Sequence, residues 1–125
     1  MSEMPALSIA LRPSTILVVE DEWLIGEELK DQLQSLGHTV LGPALNCAAA
    51  LEIVFRTKPD LAVVDTQLGS ETCEAVLDEL SAQQVPVLIC SAHLEHDLPA
   101  FARPYPLLSK PFAAFAVQQA LAAHR

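Results

Sequence analysis

Polar side chains follow the short apolar runs of this sequence, at the points where strands would end. Glu20 and Asp21 follow TILVV, Asp65 follows LAVV, Ser91 follows VLIC, and Lys110 comes soon after a final pair of leucines. Carboxylates that lie close together repel each other, so such a group needs a cation, and oxygen ligands suit Mg²⁺. A carboxylate beside Mg²⁺ and a lysine can attack phosphorus, and a hydroxyl can hydrogen-bond the arriving phosphoryl oxygens. The residue types therefore indicate phosphoryl chemistry centred on Asp65.

This chemistry requires the acids, the hydroxyl and the lysine to meet, and the pattern of the chain indicates how they do. Apolar runs alternate with segments of helical periodicity, which is typical of an α/β domain with a parallel sheet covered on both faces. In such sheets, functional groups gather at the carboxyl ends of the strands. The predicted strands are 15–19, 39–41, 61–64, 87–90 and 107–108. The predicted helices are 24–36, 46–57, about 71–83, at most a short one at 96–102, and 111 to the end.

Several local signals set the bounds of these elements. Gly37 is expected to end the first helix, and Asn46 to cap the second. Gly42-Pro43 is expected to break the second strand, and 66–70 to form a loop. The predicted helix core includes Leu24, Ile25, Leu29 and Leu33, while Trp23 either covers the rim of the acidic group or packs with the helix.

Composition excludes several classes of protein. The length of 125 residues suits one domain, and the net charge of -9 disfavours binding to nucleic acid or to an anionic membrane. The three cysteines form no CxxC pattern, so neither a disulfide framework nor a zinc site is expected, and Cys90 should be a small buried residue. Since no export signal or membrane-length apolar run is visible, the expected location is cytoplasmic.

Over residues 14–125 the chain resembles the receiver domain of two-component response regulators, with residues 1–13 as an N-terminal extension. The resemblance rests on ILVVEDE, DLAVVDTQLG, VPVLICSA and LLSKPF. It implies a flavodoxin-like, doubly wound (βα)5 fold with a five-stranded parallel sheet in the order 2-1-3-4-5.

The resemblance also implies a magnesium site. Asp21 would bind Mg²⁺ directly and Glu20 through water, with Asp65 and the backbone carbonyl of Gln67 as further ligands. Asp65 fills the position of the phosphoacceptor.

Further roles follow from the same resemblance. Ser91 fills the position of the switch hydroxyl, and Lys110 that of the lysine that pairs with the acyl phosphate, with a Lys110-Pro111 bond that is commonly cis in the family. The side chains of Gln67 and His93 either tune the lifetime of the acyl phosphate or are solvated loop residues.

Two features depart from the family pattern. Leu107 stands where the family usually has Tyr or Phe as the second half of its switch. Prolines at 99, 104 and 106 predict a fourth helix that is short or irregular. This variation is similar to that of stand-alone receivers found with histidine kinases of the HWE and related types.

The resemblance implies a single-domain response regulator that is a phosphoacceptor rather than an enzyme. It would take a phosphoryl group from a sensor histidine kinase or a histidine phosphotransferase in a Mg²⁺-dependent reaction. It would then contact an unidentified effector protein or act as a phosphate sink. The alternative is a pseudo-receiver that binds partners without phosphorylation. A phosphatase on a similar sheet is disfavoured, because Gln67 is a poor acid or base two residues after the nucleophile.

Overall fold

The computed structural model describes residues 13–65, 67–68, 71–72, 74–91 and 107–109, the side chains of 67–68, 71–72, 91 and 107–109 excepted. The elements in chain order are β1 (Thr15–Val19), α1 (Trp23–Ser35), β2 (Thr39–Ala44), α2 (Cys47–Arg56), β3 (Leu61–Asp65), β4 (Gln67–Leu68), β5 (Glu71–Thr72), α3 (Glu74–Ala82), β6 (Val87–Ser91) and β7 (Leu107–Ser109).

The main sheet has the order β2-β1-β3-β6-β7, and every pairing within it is parallel. Helices connect β1 to β2, β2 to β3 and β3 to β6, as parallel neighbours require. The predicted α/β class with a parallel sheet is confirmed. The short strands β4 and β5 form a separate antiparallel hairpin.

The sheet is buried on both faces, because successive residues of a strand point to opposite sides. On one face, Val18 and Val63 pack with Leu29 and Leu33 of α1. On the other, Leu17 and its neighbours pack with residues of α2 and α3. Cys90 is buried with the α1 face, as predicted. Continuous apolar strands are thus explained by cover on both sides.

Helix α1 buries a narrow stripe made of Gly26, Leu29 and Leu33. These residues are spaced by three and four, so they lie on one side of the helix. Leu24 lies nearly opposite this stripe and is 75% exposed, so its predicted place in the core is wrong. Gly37 ends the helix as predicted: its φ is +98°, and the N–H of His38 donates to the Leu33 carbonyl at 3.1 Å.

Strand β2 runs through Gly42-Pro43 to Ala44, so the predicted break after residue 41 is wrong. The register slips by one residue there, since Leu17 pairs with Leu41 but Val19 pairs with Ala44. Gly42 has φ +99°, and a Cβ at this position would lie 2.7 Å from the Val18 carbonyl oxygen. Only glycine lets the extra residue fit, so Gly42-Pro43 forms a β-bulge within the strand and does not end it. The Gly42-Pro43 peptide is cis.

Helix α2 begins after Asn46, whose side-chain oxygen accepts from the N–H of Ala49 at 2.8 Å, so the predicted cap is confirmed. Helix α3 begins at Glu74, three residues later than predicted, because Glu71–Thr72 pairs with Gln67–Leu68 instead. The two residues between these strands are Gly69 and Ser70, a pair typical of a tight hairpin, and this signal was missed.

Several predictions concern residues outside the described ranges. These are the irregular fourth helix within 92–106, the final helix from 111, and the geometry of the Lys110-Pro111 bond. In the part of the chain that the structure describes, no helix is both long and apolar enough to span a membrane.

Candidate functional site

Three acidic residues meet at the carboxyl edge of the sheet. Glu20 and Asp21 directly follow β1, and Asp65 is the last residue of β3, the neighbour of β1. Each of them offers a carboxylate oxygen, and these oxygens all lie within 4.8 Å of one another. The parallel pairing of β1 and β3 thus brings together the acids that the sequence places at the two strand ends.

Glu20 is held firmly in a buried position. It is 2% exposed, and its Oε2 accepts from the N–H of Glu22 at 3.0 Å. Its own N–H donates to the carbonyl of Ala44 at 2.9 Å. Backbone groups of the turn into α1 and of β2 therefore fix both the main chain and the side chain of Glu20.

Asp65 is also positioned by backbone pairing. It is 8% exposed and lies within β3, where its Cα partner across the sheet is Cys90 of β6. Asp21 is less buried than the other two acids. The group therefore combines two buried carboxylates with one that reaches toward solvent.

The donor set fits a magnesium ion. Three ionised carboxylates whose oxygens lie within 4.8 Å of one another repel each other unless a cation lies between them. All three donors are oxygens, which hard divalent cations prefer, and the partly exposed Asp21 leaves a side on which waters can complete the shell. Glu20, Asp21 and Asp65 are the described residues that could hold it.

The hairpin of β4 and β5 affects which partners the backbone carbonyl of Gln67, a predicted metal ligand, can have. Leu68 pairs with Glu71 across a two-residue connection, and Gln67 pairs with Thr72. In such a hairpin the inner pair is hydrogen-bonded and the next pair is not. The ladder between β4 and β5 therefore leaves the Gln67 carbonyl available for other partners.

The remaining predicted residues lie at neighbouring strand ends or outside the described ranges. Ser91 pairs with Ser109, and Leu107 pairs with Ile89. Ser91 thus comes one residue after the partner of Asp65, and Ser109 precedes Lys110 in sequence. The side chains of Gln67, Ser91 and Leu107, and the whole of His93 and Lys110, lie outside what the structure describes.

Two residues near the acids were missed from the sequence. Gly26 of α1 and Pro43 of β2 pack against each other beside Glu20. A glycine on the buried stripe of a helix was the available signal, because glycine there sacrifices helix stability and often marks a close approach.

Known proteins resemble this chain over most of its length. Residues 16–122 match the family described as the response regulator receiver domain. The phyllosphere-induced regulator PhyR of Methylorubrum extorquens is 40% identical over 102 residues, which cover 78% of this chain and 38% of that protein. The chain spans less than half the length of the first curated relatives that it matches.

Solved structures agree with this match. The solution structure of SdrG from Sphingomonas melonis Fr1 is 35% identical, with a TM-score of 0.79, and the match covers 89% of this chain and 95% of that chain. The BeF3-activated conformation of SdrG, from Pseudomonas melonis Fr1, is 34% identical, with a TM-score of 0.76 and coverage of 87% and 93%. The fold is therefore the flavodoxin-like α/β fold of receivers, and the chain belongs to the response regulator receiver domain family of two-component signalling.

Proposed function

We propose that this receiver accepts a phosphoryl group on Asp65 in a Mg²⁺-dependent reaction. The observation that carries the proposal is the meeting of Glu20, Asp21 and Asp65 within 4.8 Å at one edge of the sheet. An acid that served only to cap a helix or to solubilise a loop would not need two further acids beside it.

Each acid has a distinct part in the proposed reaction. A carboxylate oxygen of Asp65 forms a bond to phosphorus as the bond from phosphorus to the donor breaks, with the electron pair leaving on the donor. Bound Mg²⁺ supplies neutralisation of charge on the phosphoryl oxygens. By analogy with the family, Asp21 would hold it directly and Glu20 through water.

The proposal also includes residues whose side chains lie outside what the structure describes. The carbonyl of Gln67 would be a further ligand, which the place of this residue in a non-hydrogen-bonded pair of the hairpin supports. Ser91 would hydrogen-bond the phosphoryl oxygens and Lys110 would pair with them, as their places at neighbouring strand ends suggest. Leu107 would take part in the switch, and Gln67 and His93 would tune the lifetime of the acyl phosphate.

The comparisons support a signalling role by contact. SdrG, which matches this chain over nearly its whole solved length, has a BeF3-activated conformation. We propose by analogy that the receiver comprises residues 14–125, with β7 as the fifth strand in the order 2-1-3-4-5 and a short or irregular fourth helix. It would act without catalysing multiple turnovers. Its cytoplasmic location stays a prediction.

The proposed partners follow from the chemistry. A sensor histidine kinase, of the HWE or a related type, or a histidine phosphotransferase would donate the phosphoryl group. The phosphorylated protein would contact an effector or drain phosphate from a shared kinase. The acidic surface disfavours nucleic acid or an anionic membrane as the partner.

The test is incubation with acetyl phosphate and Mg²⁺, read by intact mass. Wild type should gain the mass of one phosphoryl group, and removal of Mg²⁺ should prevent the gain. Asp65→Asn should not react, whereas Asp60→Asn, an aspartate at the opposite edge of the same sheet, should react like wild type. A wild type that stays unmodified while another receiver reacts in the same buffer would favour the pseudo-receiver, which Leu107 makes the main alternative.

A further inference from the structure

A close contact between α1 and β2 lies directly beside the acidic group. A Cβ placed on Gly26 would be 3.0 Å from both Cβ and Cγ of Pro43, and 3.6 Å from Cγ of Glu20. The first two distances are shorter than ordinary van der Waals contacts. The absence of a side chain at Gly26 is therefore what lets helix and strand approach this closely.

The close contact between α1 and β2 also involves the main chain of Glu20. The bulge at Gly42 carries Pro43 over the helix and leaves the Ala44 carbonyl bonded to the N–H of Glu20 at 2.9 Å. The main chain of Glu20 is thus held by β2, and its Cγ lies next to the place that a Cβ of residue 26 would occupy. Because Glu20 is 2% exposed and protein interiors are closely packed, a shift of its side chain would require its neighbours to move as well.

We infer that Gly26 and Pro43 are positioning residues for the cation site, acting through Glu20. They set where the Glu20 carboxylate lies relative to Asp21 and Asp65 without touching the cation or the phosphoryl group. The inference rests on the proposed Mg²⁺-dependent function, and it adds two residues that the acidic motif does not contain.

The choice of glutamate at position 20 explains why the helix surface matters. The Cγ of Glu20, which leads to the carboxylate, is the atom that a Cβ at position 26 would meet at 3.6 Å. A side chain at position 26 would have to move Pro43, the stem of Glu20, or the helix itself. Movement of Pro43 would disturb the neighbouring Ala44 carbonyl that binds the N–H of Glu20, and movement of the Glu20 stem would displace the carboxylate directly. Partners of metal ligands typically change affinity when they are altered.

The test is a Mg²⁺ titration of the unphosphorylated protein, followed by the fluorescence of Trp23 and by calorimetry. Trp23 is the single tryptophan and lies two residues after Asp21, so its signal reports on one place. Gly26→Val should raise the Mg²⁺ dissociation constant about tenfold, in the range found for residues that orient metal ligands. The rate of phosphorylation at saturating Mg²⁺ should stay near that of wild type.

Gln34→Val is the matched control, because it places the same branched side chain on the exposed side of the same helix. It should leave the dissociation constant unchanged. Gly26→Ala should shift the constant in the same direction but less, and it keeps the test available if the valine variant does not fold.

A double-mutant cycle separates a positioning role from a general structural one. In a Glu20→Ala background both the Cγ that faces position 26 and the carboxylate are gone, so Gly26→Val should cost clearly less than tenfold in the remaining Mg²⁺ affinity. An equal cost in both backgrounds, or an unchanged constant in folded Gly26→Val, would overturn the inference. If wild type itself binds no Mg²⁺, the proposed function fails instead.

Discussion

The two edges of the sheet use polar side chains in opposite ways. At the amino edge, Asp60 accepts from the N–H of Thr15 at 2.8 Å, and His38 Nδ1 accepts from the N–H of Ser14 at 3.2 Å. Each of these side chains satisfies a backbone group where β1 begins. At the carboxyl edge, Glu20, Asp21 and Asp65 are brought close to one another instead.

The contrast separates polar residues that hold the fold from those that are arranged for a ligand. Backbone satisfaction is favourable in the protein alone, because an unpaired N–H near the core is costly. Crowded carboxylates are unfavourable until a cation binds. Removal of a carboxylate charge at the carboxyl edge should therefore raise the free energy of unfolding. Removal of a hydrogen-bonding side chain at the amino edge should lower it.

The largest expected effect is that of Asp65→Asn. This variant should lose phosphoryl acceptance completely, because the nucleophilic carboxylate oxygen is gone. In Mg²⁺-free buffer it should nevertheless be more resistant to urea than wild type, since one of three repelling charges is removed. A marked loss of stability would mean that Asp65 supports the fold as Asp60 does, and the contrast between the edges would be broken.

The next effect is that of Mg²⁺ on wild-type stability. A cation that binds only the folded state at a hundred times its dissociation constant should add about 2.7 kcal/mol to the free energy of unfolding. Urea denaturation with and without Mg²⁺ measures this difference. In Asp21→Asn the added stability should largely disappear, and a response equal to that of wild type would place the cation elsewhere.

At the amino edge, Asp60→Ala should destabilise the protein by about 1 kcal/mol, the usual loss for one hydrogen bond. The N–H of Thr15 would lose its side-chain acceptor. Mg²⁺ affinity should not change, because the residue lies at the opposite end of β3 from Asp65. A changed Mg²⁺ affinity in a folded Asp60→Ala would show that the edges are coupled.

The sequence predicted the acidic site well because adjacent parallel strands carry their end residues to one edge. Continuous apolar runs located β1 and β3, and the acids directly after or at their ends had to meet. Asn46 and Gly37 were equally predictable, because a cap and a left-handed helix end each depend on one residue type.

The failures share a physical cause, which is that tertiary contact decided the outcome. Gly42-Pro43 looks like a strand break, but pairing with β1 continues around it as a bulge. Leu24 is apolar, yet the sheet covers only the side of α1 that carries Leu29 and Leu33. The fit of Gly26 to Pro43 depends on residues far apart in sequence, and no local pattern contains it.

The smallest expected effect is a pH dependence that arises at the amino edge from His38. This side chain is 6% exposed, and its burial lowers the pKa of the imidazole below the ordinary value of 6.5. Since Nδ1 accepts from Ser14, the neutral ring carries its proton on Nε2, which has no hydrogen-bond partner among the described residues. Protonation would put a second proton on Nδ1 and break the bond to Ser14.

The sign of this effect follows from proton linkage. Between the folded pKa and 6.5 the unfolded chain binds more protons than the folded one, so the stability contributed by His38 is complete above 6.5 and is lost as the pH falls below it. His38→Asn keeps an acceptor near the place of Nδ1 but does not titrate in this range. Urea denaturation at pH 7.5 and 5.5 should show a smaller loss on acidification for this variant than for wild type. Equal losses in the two proteins would assign the acid sensitivity to groups other than His38.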